Sequence, residues 1–273
     1  MATIVGSIMT SHVPAIGRAI AKNLQDDPYW KPFFDGYPPA QAWVREARPD
    51  VVVAFYNDHG LNYFLDTLPT FGVGAAPQYS NADEGWGIPT VEPFRGHQDL
   101  SWHIIEMLVD HALTLPMALL WPGGDPWPVR IVPITINTLL YPFPSPARCL
   151  KLGEAVGRAI ASFATDERVV VLGTGGLSHQ LDGTRAGFIN KAFDQMCMEA
   201  LVDDPASLAR YSALDIVKEA GVQGFELVNW LAARGALPEC VDMIHSHYHI
   251  PISNTAAGLM VLQNRAEQWA RAA

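Results

Sequence analysis

The chain has 273 residues, of which 49% are hydrophobic and 17% are charged, and a chain of this length and composition can bury a substantial core as one domain spanning residues 1–273. Its 28 acidic residues outnumber its 18 basic residues and give a formal net charge of -10. This balance argues against nucleic acid as a partner, because phosphate binding needs clustered lysine and arginine side chains.

Apolar, β-branched runs alternate with helical patterns along the chain, which is typical of an α/β protein. The predicted strands cover residues 3–9, 50–55, 116–121, 129–138, 168–172 and 241–249. The predicted helices cover residues 39–47, 99–110, 146–163, 187–202 and 222–235. This alternation predicts a single domain with a central twisted, largely parallel or mixed β-sheet flanked by helices. Ligands bind such sheets at the carboxyl ends of the strands, where the active site is therefore expected.

A histidine follows each of three apolar strands. The first strand leads to His12, the second leads to His59, and the strand at 168–172 leads to His179. Because the carboxyl ends of parallel strands lie at one edge of a sheet, these three side chains are candidates for a common site. The alternative is that each imidazole only hydrogen-bonds its own loop.

One carboxylate is predicted to be buried. In a helix, Glu226 has Val222 four residues before it and Trp230 four residues after it, which places it in an apolar stripe. A buried, ionised carboxylate needs a partner, so Glu226 is predicted to bind a metal, to pair with a cation such as Arg234, or to be protonated. Two histidines and one carboxylate form a set that holds Fe(II) on one face, and Zn²⁺ accepts the same donors.

Three further histidines alternate along the strand predicted at 241–249. His245, His247 and His249 would share one face of that strand. A metal site made of these three side chains would leave the buried Glu226 unexplained. We therefore favour a solvated or hydrogen-bonded strand face for His245 and His247.

The remaining candidates are weaker. His97 in a loop and His103 in a helix are predicted to have structural roles, and the loop carboxylates Asp83 and Glu84 are expected to be exposed. The glycines of GTGGLSH, residues 173–179, complete no phosphate-binding motif. They are predicted to permit a tight turn after the strand, which brings His179 toward the site.

Five separate motifs resemble the type III extradiol ring-cleavage dioxygenases, most closely their catalytic beta subunits. The motifs are TSHVPAIG around His12, YNDHG around His59, GTGGLSHQL around His179, GFELVNWLAARGAL around Glu226, and YHIPISNTAAG near the end of the chain. The resemblance implies that His12, His59 and Glu226 bind non-haem Fe(II). It also implies that His179 is the acid/base histidine and that His111 is a second catalytic histidine near substrate or oxygen.

The resemblance further implies a substrate and its contacts. His249 is expected to contact the substrate, and Ser253 and Asn254 are expected to hydrogen-bond a ring substituent; the alternative for Asn254 is that it only holds a turn. The implied substrate is a catechol that carries a carboxylate, such as protocatechuate or gallate, with aminophenols and bulkier diols as other candidates. The implied reaction is extradiol cleavage with O₂, which gives a muconic semialdehyde-type product.

Other classes of protein stay open at this point. A zinc-dependent hydrolase could use the same two histidines and glutamate, and a noncatalytic binding protein could share the fold. The partner arrangement is open as well. The resemblance implies a small alpha subunit that caps the active site, and a homodimer is the alternative.

The cysteine pattern and the absence of long apolar segments indicate a cytoplasmic location. Cys149, Cys197 and Cys240 contain no C-x-x-C pair, so neither a disulfide framework nor a zinc knuckle is predicted. No apolar run reaches the length of a membrane span, and no basic segment precedes the short apolar run at the start. We expect neither export nor membrane insertion.

Overall fold

Apolar strands with few polar residues form the centre of the protein. The computed structural model describes residues 2–61, 63, 68–81, 84–85, 93–102, 111–122, 127–252 and 255–266, without the side chains of His111, Pro251 and Ile252. The strands are β1 (Thr3–Thr10), β2 (Val51–Tyr56), β3 (Phe71–Val73), β4 (Gln78–Tyr79), β5 (Phe94–Arg95), β6 (Arg130–Ile136), β7 (Arg168–Thr174), β8 (Val241–Ile252) and β9 (Thr255–Asn264).

Helices occupy most of the segments between these strands. They are α1 (Pro14–Ala21), α2 (Lys31–Phe34), α3 (Tyr37–Ala47), α4 (Gln98–Trp102), α5 (His111–Leu120), α6 (Pro146–Ser162), α7 (Lys191–Asp203), α8 (Pro205–Leu208), α9 (Ala213–Ala220) and α10 (Leu227–Ala236). Two 3₁₀ turns, Gly183–Arg185 and Gln223–Glu226, complete the list. The second turn leads directly into α10.

Seven strands form one mixed sheet in the order β3-β6-β2-β7-β1-β9-β8. The four central strands, β6, β2, β7 and β1, are parallel, whereas β3, β9 and β8 pair antiparallel to their neighbours. The predicted class, a central largely parallel or mixed sheet with flanking helices, is confirmed. The loops that leave β1, β2, β6 and β7 consequently meet at one edge of the sheet.

Helices cover both faces of the sheet, which explains the nearly continuous apolar sequence of its central strands. In β2, Val51, Val53 and Phe55 face a core that includes α6, α7 and α10. The alternate residues Val52, Ala54 and Tyr56 face a second core that includes α1, α3 and α5.

The packing of α6 against α10 requires glycine. A Cβ atom at Gly153 of α6 would lie 1.9 Å from the backbone oxygen of Ala232 in α10. The two helices therefore approach until their backbones touch. This contact fixes α10, and with it the turn that carries Glu226.

Most predicted elements are present, but the strand predicted at 116–121 is wrong. Residues 116–120 of that segment form the second half of α5, which contains Pro116, and Trp121 follows the helix. A short apolar run does not distinguish a buried strand from a buried helix, and the leucine, alanine and methionine of this run favour a helix. The helix predicted at 99–110 is described only as far as Trp102. No sequence pattern predicted the short or partly polar elements α1, α2, α8, α9, β3, β4 and β5, or the longer strand β9.

The described part of the chain has neither a membrane-spanning helix nor a disulfide bond. None of its helices combines the length and the apolar character that crossing a bilayer requires. Cys149 and Cys197 are buried free thiols, and Cys240 is an exposed free thiol.

Candidate metal centre

His12, His59 and Glu226 converge beyond the carboxyl ends of β1 and β2. His12 Nε2 lies 3.8 Å from Glu226 Oε2, and His59 Nε2 lies 3.6 Å from Glu226 Oε1. The candidate ligand atoms of all three side chains lie within 4.8 Å of one another. Each histidine comes from a loop that follows a parallel strand, so the sheet topology is the cause of this convergence.

The convergence leaves one side of the group accessible. The side chain of His59 is 28% exposed, whereas Glu226 is 5% exposed and His12 is 1% exposed. The imidazole rings of the two histidines are perpendicular, with their centroids 5.3 Å apart. A ligand from solvent would therefore enter from the His59 side.

Glu226 is buried and ionised. Burial alone would raise the pKa of Glu226, but the neighbouring His12 and His59 lower this pKa to about 2. Asn57 Nδ2 donates a hydrogen bond to Oε1 at 2.9 Å, and the Gly176 N–H donates one to Oε2 at 3.0 Å. Both carboxylate oxygens are thus held in place by neutral donors, as buried carboxylates require.

The glycines after β7 form a cradle for this carboxylate. Gly175 and Gly176 have positive φ angles of 103° and 58°, which glycine adopts without a steric penalty. A Cβ atom at Gly175 would lie 2.6 Å from Glu226 Cβ and 2.7 Å from its Oε2. The glycine pair was interpreted only as a tight turn, and its contact with Glu226 is an addition from the structure.

Two asparagines extend the hydrogen bonding around the site, and the sequence analysis missed both. Asn57 Nδ2 also lies 3.1 Å from His59 Nε2. Asn229 Nδ2 donates to Asn57 Oδ1 at 3.3 Å and to the Thr174 oxygen at 2.8 Å. The available signal was position, because Asn57 precedes His59 by two residues and Asn229 follows Glu226 by three.

His179 is not one of the three candidate ligands, but Glu226 and His59 are close enough to shift its pKa. Its Nε2 is buried and has no hydrogen-bond partner among the described residues. Burial lowers the pKa of His179, although the negative charge of Glu226 partly opposes this effect. The backbone of His179 is held firmly, because its N–H donates to the Ala220 oxygen at 2.7 Å and its oxygen accepts from the Gly224 N–H at 3.2 Å. A neutral imidazole with a vacant buried nitrogen can accept a proton from a bound ligand.

The structure contradicts the alternative partner of Glu226. Arg234 donates its hydrogen bonds to the backbone oxygens of Leu201, Pro238 and Glu239, so a pair between Arg234 and Glu226 is wrong. The apolar stripe is also incomplete, because Val222 is 36% exposed. Glu226 is buried because the 3₁₀ turn and the Gly175–Gly176 cradle enclose it.

His245 and His247 of β8 form a hydrogen-bonded strand face, as favoured from the sequence. His245 Nε2 lies 2.8 Å from the Gly36 oxygen, and His247 Nε2 lies 3.1 Å from the Pro32 oxygen. The rings of His245 and His247 are nearly parallel with centroids 6.5 Å apart, and the ring of His249 continues this row. His249 is half-buried, and burial together with His247 lowers its pKa.

The other candidates divide into described and undescribed residues. His97 is structural, as predicted, because its Nε2 contacts Glu167 at 2.8 Å and its Nδ1 accepts from the Leu100 N–H at 3.3 Å. His111 begins α5, but its side chain lies outside the described part. The remaining candidates, Asp83, His103, Ser253 and Asn254, also lie outside the described residues. Glu84 does not belong to the metal-binding group found among the described residues.

Two imidazoles and a carboxylate at the strand ends of a largely parallel sheet are characteristic of a non-haem metal centre with open coordination positions. Residues 6–260 match the family described as the catalytic LigB subunit of aromatic ring-opening dioxygenase. The chain belongs to this family.

Individual relatives agree with the family match. The chain is 37% identical over 198 residues to a gallate dioxygenase of Pseudomonas putida. This alignment covers 67% of this chain and 58% of that protein. The chain is 26% identical over 280 residues to a 2,3-dihydroxyphenylpropionate/2,3-dihydroxicinnamic acid 1,2-dioxygenase of Rhodococcus globerulus, which covers 81% of this chain and 87% of that protein. The chain thus spans less than two thirds of the length of the gallate dioxygenase.

A solved structure supports the fold alone. The crystal structure of an uncharacterized protein from Escherichia coli K12 aligns with a TM-score of 0.52 and 13% sequence identity. The alignment covers 95% of this chain and 99% of that protein. The architecture is therefore shared over nearly the whole length of both chains.

Proposed function

We propose that this protein, as one catalytic domain over residues 1–273, cleaves the ring of a catechol on the extradiol side with O₂. The product would be a muconic semialdehyde. The observation that carries this proposal is the convergence of His12, His59 and Glu226 beside the buried, unpartnered Nε2 of His179. Family membership supports the same reaction class.

The proposed metal is Fe(II), held by His12, His59 and Glu226. The donor set suits this ion because two imidazole nitrogens and one carboxylate oxygen form the facial triad of non-haem Fe(II) oxygenases. A bound Fe(II) would supply a site that a catechol can chelate through both oxygens, a lower pKa for the substrate hydroxyls, and a route for electrons from the ring to O₂. Glu226 supplies one negative charge, which partly balances the charge of a divalent ion.

His179 is proposed as the acid/base residue. Its lowered pKa keeps the imidazole neutral near pH 7, so Nε2 can accept the proton of a substrate hydroxyl. The resulting imidazolium can return this proton to an oxygen of the opening ring later in the cycle. Glu226 would stabilise the imidazolium, because its negative charge raises the pKa of His179.

The proposed substrate is a catechol that carries a carboxylate. The relatives are named for gallate and for 2,3-dihydroxyphenylpropionate, and both compounds combine adjacent hydroxyls with a carboxylate. We propose His111 as a second catalytic histidine, His249 as a substrate contact, and Ser253 and Asn254 as hydrogen-bonding partners of a ring substituent. These four assignments rest on the sequence resemblance.

Partners and location also stay predictions. A small alpha subunit over the active site and a homodimer are the two proposed arrangements, and the mass of the native assembly in solution distinguishes them. The proposed cytoplasmic location rests on the cysteine pattern, which contains no C-x-x-C pair. Zinc hydrolysis is not favoured by any feature of the described residues beyond the shared donor set.

The proposal is tested by loading the protein with Fe(II) under anaerobic conditions and adding protocatechuate, gallate, 2,3-dihydroxyphenylpropionate and unsubstituted catechol in separate reactions. We expect O₂ uptake and a yellow ring-opened product with at least one carboxylated catechol. The matched control is protein loaded with Zn²⁺, which occupies the same donors without redox chemistry. Activity with zinc, or the absence of O₂ uptake with every diol, would contradict the proposal.

A further inference from the structure

A second buried carboxylate connects two histidine-bearing segments. Asp194 lies in α7 and is 1% exposed. Its Oδ1 accepts hydrogen bonds from the Ser178 N–H at 2.9 Å and from Ser178 Oγ at 2.7 Å. Its Oδ2 accepts a hydrogen bond from the Tyr248 hydroxyl at 2.8 Å. One side chain thus holds the residue before His179 and the residue before His249.

The end of β9 lies between these two segments. Ala257 of β9 pairs with His249 of β8, and Thr255 pairs with His179 on the other side. The Ala256 N–H donates to the Ser178 oxygen at 2.8 Å, and the Ala256 oxygen accepts from the Leu177 N–H at 3.1 Å. Residues 177–179 therefore continue the sheet beside β9. The Asp194 carboxylate joins this segment to β8, which lies on the other side of β9.

The link also fixes the direction in which the His249 side chain points. Successive residues of a strand point to opposite faces, so the contact of Tyr248 with α7 directs His249 to the other face of β8. Burial raises the pKa of Asp194, and the hydrogen bonds from Ser178 and Tyr248 oppose this increase. All three donors are neutral, so the role of Asp194 is to fix positions.

We propose that Asp194 is a positioning residue that sets the separation between His179 and His249. The inference rests on the proposed function, in which His179 transfers protons and His249 contacts substrate. A displacement of about 1 Å in an active site can reduce turnover about 100-fold. The loss of this carboxylate is therefore expected to affect catalysis even though Asp194 is not one of the three candidate metal ligands.

The test compares Asp194→Ala, Asp194→Asn and Tyr248→Phe in the iron-loaded protein with protocatechuate and gallate. Asp194→Ala should lower kcat/KM about 10- to 100-fold, the range typical of lost supporting contacts. Asp194→Asn should recover most of this loss, because its amide oxygen can accept from Ser178 and its NH₂ can donate to the Tyr248 oxygen. Tyr248→Phe removes only the hydrogen bond between β8 and Asp194 and leaves the bonds to Ser178 in place. Because His249 is the proposed substrate contact on β8, this variant should raise KM more than it lowers kcat.

Two kinetic results would overturn the inference. Wild-type kcat/KM in both Asp194→Ala and Tyr248→Phe would show that the link is only structural. Equal loss in Asp194→Asn and Asp194→Ala would show that the charge of Asp194 matters and its hydrogen-bond geometry does not.

Amide hydrogen exchange of the metal-free protein gives a readout that does not depend on activity. Asp194→Ala should accelerate exchange selectively at residues 177–179 and 248–250. The control is Glu167→Gln, which disturbs a carboxylate that contacts His97 and Arg130 next to the amino end of β7. This control should lower stability and leave both kcat/KM and exchange at 177–179 unchanged. If the wild type cleaves no diol, the proposed function fails, and hydrogen exchange alone tests the positioning role of Asp194. In that case, exchange that accelerates evenly over the whole chain in Asp194→Ala would overturn the inference.

Discussion

Asn57 Nδ2 donates a hydrogen bond to Glu226 Oε1 at 2.9 Å, although 169 positions separate the two residues. The same Nδ2 atom lies 3.1 Å from His59 Nε2. Asn229 Nδ2 in turn donates a hydrogen bond to Asn57 Oδ1 at 3.3 Å. Asn57 therefore orients the proposed carboxylate ligand and lies against one of the proposed imidazole ligands. Such supporting contacts keep ligands in position before a metal arrives.

Replacement of Asn57 should weaken metal binding. We expect Asn57→Ala to lower the affinity for Fe(II) about 10- to 100-fold, because Glu226 loses one of its two supporting donors. Anaerobic titration calorimetry measures this change. Asn264→Ala is the matched control, since the Asn264 amide donates to the Ile4 oxygen near the amino end of β1. Equal metal affinity in the two variants would contradict a supporting role for Asn57.

Metal content should distinguish the two groups of histidines. Glu226→Ala and His59→Ala should each lose most of the bound Fe(II) and the turnover, because each removes one of three proposed ligands. The double variant His245→Ala with His247→Ala should retain about one Fe(II) per chain, because these imidazoles contact the backbone oxygens of Gly36 and Pro32. Elemental analysis after anaerobic loading gives the measurement, and circular dichroism verifies the fold of each variant. Iron lost only from the double variant would place the metal on β8.

His179→Gln should separate proton transfer from metal binding. The variant should keep its iron and lower turnover about 10²- to 10⁴-fold, the range typical of a lost general acid/base. A base acts only when deprotonated, so wild-type kcat/KM should fall as the pH drops through the pKa of His179. Burial lowers that pKa from the ordinary value of 6.5, so the acidic limb should lie below pH 6.5 and should flatten in the variant. Loss of iron equal to that in Glu226→Ala would instead make His179 a ligand.

Two glycine substitutions should separate backbone strain from disruption of the site. Gly175 and Gly183 both have positive φ angles, 103° and 73°, so alanine at either position should cost about 1 to 3 kcal/mol of stability. Only at Gly175 would the new Cβ meet Glu226, at 2.6 Å, whereas nothing lies within 4 Å of one at Gly183. Gly175→Ala should therefore also weaken Fe(II) binding, and Gly183→Ala should not. Denaturant unfolding and metal titration measure the two effects, and unchanged metal affinity in Gly175→Ala would contradict the cradle.

The apolar patterns predicted the four central strands of the sheet, β6, β2, β7 and β1, better than they predicted the other elements. β2 and β7 carry continuous runs of buried apolar residues, whereas Gly6 and Ser7 divide the apolar residues of β1 into two pairs. Such runs have few alternatives when glycine or polar residues bound them. Residues 116–120 belong to α5, because leucine and methionine suit either structure and only the packing against β2 and β7 decides. β9 was missed because its alanines and glycine do not indicate a strand by themselves, and its pairing with β1 and β8 stabilises it.

The sequence by itself determined that His12, His59 and His179 follow apolar strands of an α/β sheet, because strand direction and connection length place such residues at one edge. The tertiary structure alone decided how Glu226 is held, since its donors Asn57 and Gly176 are far from it in sequence. It also excluded Arg234 as the partner of Glu226, because that guanidinium is committed to backbone oxygens. Hydrogen bonds between distant segments depend on side-chain directions within the packed core, which sequence periodicity does not encode.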